Sequence, residues 1–139
     1  MTSTPTAPDT SVLVAGFDPN HNSHDQAAES LVAVRDHGVL IAHTIVECYA
    51  VLTGGAFLAP PAQVGAYVEQ FLVRGPVGLA PVEMPASIAH LAAIGVGGGA
   101  VHDGLIALGA RAAGARLVSF DVRATVTYER CGVDYEMLR

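Results

Sequence analysis

The sequence predicts an α/β fold, a single domain with a central, mainly parallel sheet flanked by helices. Short, continuously apolar, branch-rich runs such as Val39-Leu40-Ile41-Ala42 have the character of strands buried on both faces. They alternate with longer stretches whose apolar residues recur at helical spacing, the pattern of a parallel sheet with crossover helices. The 139 residues are 51% hydrophobic and 14% charged, which suits one domain, residues 1–139, with a sizeable core.

In chain order, the Thr, Ser, Pro and Ala before Asp9 predict a weak strand at best, or a frayed end over residues 1–8. Val12, Leu13, Val14 and Phe17 predict a short helix from Thr10, ending between Gly16 and Pro19. The turn cluster Asp18-Pro19-Asn20-His21-Asn22-Ser23 precedes a helix over 24–36, stopped by Gly38. A buried strand over 39–42 leads into a helix over 44–52 that ends at Thr53-Gly54-Gly55. Pro60-Pro61 opens a helix reaching about Arg74, proline being tolerated in a first turn. Residues 77–82 read as a weak or edge strand, because their glycine and proline harm a central one. Helices over 85–94 and from the glycine loop to Ala113 follow, then a strand over 116–120 and a last helix over 122–130. Residues 133–138 alternate apolar and acidic side chains, predicting a half-exposed edge strand with Asp134 and Glu136 in solvent.

Charge excludes several chemistries. The seven basic residues are all arginine, so lysine-dependent Schiff bases and phosphate loops of the Walker type are ruled out. A net charge of −6 disfavours broad coating of nucleic acid but permits a local site whose field a divalent metal inverts. The N-terminus lacks a secretory pattern and no apolar run reaches membrane-span length, so a cytoplasmic protein without membrane contact is expected. Cys48 and Cys131 read as reduced packing residues.

Four acids stand in apolar surroundings: Asp9 before Thr10-Ser11-Val12-Leu13-Val14, Glu47 within Ile45-Val46-Glu47-Cys48-Tyr49, Asp103 in Val101-His102-Asp103-Gly104-Leu105-Ile106-Ala107, and Asp121 after Val118-Ser119-Phe120. Singly each has a bland explanation, Asp103 as a helix-start acid favoured by the dipole and Glu47 as a surface glutamate. Together they can face the carboxyl ends of the strands, where α/β folds gather ligands. Clustered carboxylates repel unless a cation is present, and oxygen-only ligands favour Mg²⁺ or Mn²⁺.

In order and spacing these motifs, with Tyr128-Glu129-Arg130-Cys131-Gly132-Val133 near the end, resemble the PIN-domain family and in particular its VapC-type ribonuclease toxins. The resemblance runs from Asp9 to the C-terminus. The chain departs from the family pattern in Pro5, Ala7 and Pro8, where an apolar strand usually precedes the first acid, and in Phe120, where a polar or basic residue is common. The resemblance implies a metal-dependent endoribonuclease with Asp9, Glu47, Asp103 and Asp121 as catalytic, metal-holding carboxylates. It further implies an RNA substrate, a cognate antitoxin and a homodimer. Thr10, Ser11 and Ser119 have hydroxyls placed to orient ligands or waters around the acids, or else to cap helices and close turns. Arg123, near Asp121, is the candidate phosphate contact, against the plainer role of a solvated helix charge. His43 and His102 adjoin the acidic segments and could approach RNA, although a core or surface histidine is the commoner outcome. His21 and His24, near Asp25, are too loosely spaced for a metal site.

Two other readings compete. Gly95-Val96-Gly97-Gly98-Gly99-Ala100 formally matches a dinucleotide fingerprint, but a helix rather than the required strand is expected before it. The second is a non-catalytic PIN-like module that binds RNA or protein, against which stand four intact acids, costly to bury without a purpose.

Overall fold

A computed structural model describes residues 3–139. Five short strands and seven helices alternate as expected: β1 (Thr6–Pro8), α1 (Thr10–Phe17), α2 (His24–His37), β2 (Leu40–Ile41), α3 (Ala42–Thr53), α4 (Pro61–Glu69), β3 (Pro76–Val77), α5 (Met84–Ala93), α6 (Ala100–Ala112), β4 (Arg116–Ser119), α7 (Thr125–Cys131) and β5 (Tyr135–Met137). All strand pairs are parallel, in the orders β1-β4-β5 and β2-β3. Among the described residues no helix is long and apolar enough to cross a membrane.

Pro8 explains why there are two sheets. Pro5 and Asp9 face β4, since Arg116 N–H donates to Pro5 O and Asp9 N–H to Val118 O. Period two turns Thr6 and Pro8 the other way, toward β2, where Thr6 O accepts from Val39 N–H. Pro8 has no N–H to complete the next rung. β1 is therefore a real strand with one side fully paired and the other joined by a single bond.

Alternation along the strands divides the core. Leu117, Ala7 and Ile41 pack with α5, α6 and α7 around Leu91, Ile106 and Tyr128. Val118 and Leu40, one residue away in each strand, pack on the opposite face with Leu13, Leu31, Val34, Leu52 and Val64. Continuous apolar strands thus serve two cores, as parallel sheets require. Cys48 and Cys131 are buried free thiols, and burial pushes the Cys48 thiol up to about 12.

Several boundaries differ from expectation. The helix predicted to reach Arg74 ends at Glu69, because Arg74 is used elsewhere. Its guanidinium donates to Val34 O and Arg35 O at 2.8 Å, to Gly38 O at 2.6 Å and to Asp36 O at 3.2 Å, capping the carbonyls at the end of α2, of which Val34 O also accepts the Gly38 N–H. The strand expected over 77–82 is only Pro76–Val77: Gly78 takes φ 137° and Pro81 opens a single 3-10 turn, Pro81–Glu83. The last helix is split into a 3-10 turn, Val122–Ala124, and α7. The edge strand β5 spans Tyr135–Met137, with Asp134 and Glu136 exposed as predicted. The glycine-rich segment follows α5, so the strand that a dinucleotide fingerprint needs is missing.

Gly38 permits the crossing of α2 into β2. A Cβ there would lie 2.5 Å from Thr6 O and 2.7 Å from Val34 Cα, both backbone atoms that cannot yield cheaply. Gly38→Ala is expected to destabilise the fold by about 1–3 kcal/mol, as overpacking does, whereas Gly65→Ala at an exposed position of α4, where a Cβ meets nothing within 4 Å, should stabilise it by about 0.5–1 kcal/mol. Urea denaturation of the two variants reads opposite shifts in midpoint.

Candidate active site

Asp9 is placed by the end of β1 and the start of α1. It is the N-cap of α1, its Oδ1 accepting from Val12 N–H at 3.3 Å and from the Ser11 hydroxyl. Its other oxygen, Oδ2, accepts from Tyr128 Oη at 2.7 Å. Asp9 is only 3% exposed, and burial raises its pKa while the hydrogen bonds from Ser11, Ser119, Tyr128 and Val12 pull against that rise. Tyr128 is fully buried, and burial together with the Asp9 charge drives its phenol pKa upward, keeping it a proton donor.

The other acids come from three different elements and meet at one open cleft. Glu47 lies in the second turn of α3, Asp103 in the first turn of α6, and Asp121 just beyond β4 as N-cap of the 3-10 turn. The cleft, about 760 Å³, is lined by Glu47, Asp103 and Asp121 with Thr10, Ser11 and Gly99. Buried Asp9 stands behind it, close enough to act on Asp103. The Asp103 carboxyl is pushed up to about 6, first by burial and then by the charges of Glu47, Asp121 and Asp9, with His102 opposing.

Each hydroxyl named from the sequence is attached to a different acid. Thr10 Oγ1 donates to Glu47 Oε1, Ser11 Oγ donates to Asp9 Oδ1, and Ser119 Oγ accepts from Asp121 N–H at 2.9 Å. Ser11 also accepts from Phe120 N–H at 2.9 Å, so one side chain ties α1 to the end of β4. The arginine expected to touch phosphate stands apart. Arg123 donates its backbone N–H to Asp121 Oδ1 at 3.0 Å, and its side chain is exposed outside the cleft lining. The arginine on the cleft lining is Arg139, together with His21 and Ser23. Sequence reasoning missed Arg139, which gains its place only through the pairing of β5 with β4. It also missed Tyr128 as a site residue, although a tyrosine in an apolar helix needs a partner for its hydroxyl.

The chain as a whole is similar to known proteins in sequence and in fold. A model of the PIN domain matches residues 7–129. The chain belongs to the PIN-domain family. Ribonuclease VapC40 of Mycobacterium tuberculosis is 41% identical over 138 residues, spanning 95% of this chain and 98% of that protein. Ribonuclease VapC27 of the same organism is 34% identical over 132 residues, 93% of each chain. Among solved structures, a DNA-bound VapBC from Salmonella typhimurium aligns with TM-score 0.65 at 21% identity, over 97% of this chain and 98% of that one. PAE2754 from Pyrobaculum aerophilum aligns with TM-score 0.61 at 18% identity, over 95% and 90%. At these identities the two structures speak for the PIN fold.

The donor set of this PIN domain suits a hard divalent cation, being all oxygen and strongly self-repelling. Among the described residues no three His, Cys, Asp or Glu side chains converge into a ready-made cage.

Two outcomes follow for the metal-free protein. Tyr128→Phe removes the donor from a buried carboxylate and should lower stability by about 1.5–3 kcal/mol in urea titration. Asp103 has its pKa raised in the folded state, from 3.8 to about 6, so its penalty on stability is absent below the unfolded pKa, grows as pH rises between the two and is full above the higher one. Asp103→Asn should therefore raise Tm at pH 8 and leave it unchanged near pH 3, as followed by circular dichroism.

Proposed function

We propose that this chain is a metal-dependent endoribonuclease that hydrolyses RNA phosphodiester bonds, acting as the toxin of a toxin–antitoxin pair. The observation that carries the reading is the meeting of Glu47, Asp103 and Asp121 at one cleft with Asp9 buried behind it, in a chain 41% identical to a protein named as a ribonuclease. In this proposal Glu47, Asp103 and Asp121 hold Mg²⁺ or Mn²⁺ at the cleft and Asp9 supports it from below. The ion, when bound, would supply a polarised phosphate oxygen and an activated water for in-line displacement.

The chain's own residues do the rest. Thr10, Ser11 and Tyr128 fix the orientation of Glu47 and Asp9, so the negative field is aimed without reorganisation when substrate arrives. Asp121 is held by its own backbone N–H on Ser119 and by Arg123 N–H on its carboxylate. Arg139, on the cleft lining with His21, offers a cationic contact to the flanking phosphates of a bound strand, and the His21 ring a hydrogen-bonding one. The open cleft admits single-stranded RNA, the form in which RNA sequence is most readily recognised. The solved VapBC assembly supports an antitoxin as partner, and the family resemblance supports a homodimer whose paired clefts face one RNA.

Incubating the purified chain, free of any partner, with labelled cellular RNA tests the function. Discrete fragments should form in Mg²⁺ or Mn²⁺ and disappear in EDTA. Asp103→Asn should lower the rate at least about 100-fold while the protein remains folded, as expected when a charge that acts in the transition state is removed. Intact RNA under all metal conditions from a folded wild type would instead favour the non-catalytic module.

A further inference from the structure

Glu47 and Asp103 are carried by separate helices, and their like charges repel across the cleft mouth, Glu47 being the largest charge effect on Asp103. Packing of α3 on α6 is aided at this point by a pair of imidazoles. His43 Nε2 and His102 Nδ1 lie 2.9 Å apart, one ring supplying the N–H and the other the lone pair. The rings are nearly parallel, with centroids 5.2 Å apart and planes inclined by 21°. His43 is one helical turn before Glu47 on the same face of α3, and His102 immediately precedes Asp103 in α6. The pair stands beside the acidic lining rather than within it, His43 facing an apolar pocket of about 220 Å³ with Ile41, Val46 and Met84.

We infer that the His43–His102 hydrogen bond is a latch that sets the separation of Glu47 and Asp103, and through it the affinity of the cleft for a divalent cation. The two histidines are positioning residues, acting through the carboxylates they precede. A ring-to-ring hydrogen bond suits this task better than a salt bridge to either acid. It joins the two helices without neutralising the charge that attracts the cation. The inference rests on Glu47 and Asp103 being the cation-holding carboxylates proposed above.

Titrating Mn²⁺ into the metal-free protein by calorimetry tests the latch, with RNA cleavage measured in parallel. His43→Leu and His102→Phe each remove the bond and should weaken Mn²⁺ binding about tenfold, the lower range for disturbing groups that orient metal ligands. His43→Gln and His102→Asn place an amide nitrogen or oxygen where the ring nitrogen was and should bind close to wild type. The double variant, His43→Leu with His102→Phe, should be no weaker than either single one, since the second change removes a bond already lost. His102 is exposed and His43 half-buried, so folding is expected throughout. Should one variant fail to fold, the change on the other helix breaks the same bond. Wild-type affinity in both bond-breaking variants, equal losses in the amide variants, or additive losses in the double variant would each overturn the latch. If wild type itself takes up no Mn²⁺ and leaves RNA intact, the proposed nuclease function falls first and the latch with it. If wild type binds and cleaves while the variants match it, the latch alone falls.

Discussion

A buried carboxylate at the end of β1 is the constraint on which the site depends. Asp9 is 3% exposed, and an unpartnered charge at that depth would cost several kcal/mol. Its partners come from α1 and α7: the Val12 N–H and Ser11 hydroxyl on one oxygen, the Tyr128 hydroxyl on the other. Because Ser11 also takes the Phe120 N–H, and Asp9 gives its own N–H to Val118 O, satisfying this acid brings α1, α7 and the end of β4 into register. The network that makes the charge tolerable also decides where Asp121 emerges.

The same site is held at an electrostatic disadvantage. Asp103 carries a carboxyl raised to about 6 by burial and by three neighbouring acids, a load that ordinary folding would select against. Hydroxyls stabilise individual carboxylates here, Thr10 for Glu47 and Ser11 for Asp9, yet they leave the net negative charge intact. Structural needs alone would be better met by an arginine. Arginines are available but engaged elsewhere: Arg74 on the carbonyls of α2, Arg111 on Cys131 O, Arg116 near Asp134. Unrelieved repulsion at a cleft is the arrangement expected where a cation binds and strain is kept for function.

How much of this was legible depended on the range of the interaction. Strand and helix identities followed from local patterns, since Val39–Ile41 and the Leu117–Val118 pair place apolar side chains on both faces and the helices keep their period. Boundaries set by distant partners were hidden: nothing in the sequence near Arg74 shows that its guanidinium closes α2, and only Gly78 and Pro81 hinted that the strand after Pro76 would be so short. Acids were legible because carboxylates in apolar context are rare, and the hydroxyls because they sit one or two residues from an acid. That Thr10 reaches Glu47, 37 residues away, depends on how α1 packs on α3. Tyr128, His43 with His102, and Arg139 became meaningful only through tertiary contacts of this kind.

Arginine placement also bears on how an acidic chain can hold RNA. With a net charge of −6 and no lysine, long-range attraction of the whole surface for phosphate is absent. Arg74, Arg111 and Arg116 are committed to carbonyls or to Asp134, and Arg123 is exposed outside the cleft. Attraction must then be local. On the proposed function, a divalent ion among Glu47, Asp103 and Asp121 reverses the field at the cleft, and Arg139 extends the positive ground along its wall. Such a protein would bind RNA through few phosphates, with a shallow dependence on salt and a steep dependence on the ion. Its selectivity would come from the shape of the RNA that can bring one phosphate to the acids. A partner able to place a cationic side chain among those acids would compete for the same charge. Occupying the cation's ground is thus the most direct way to silence the site.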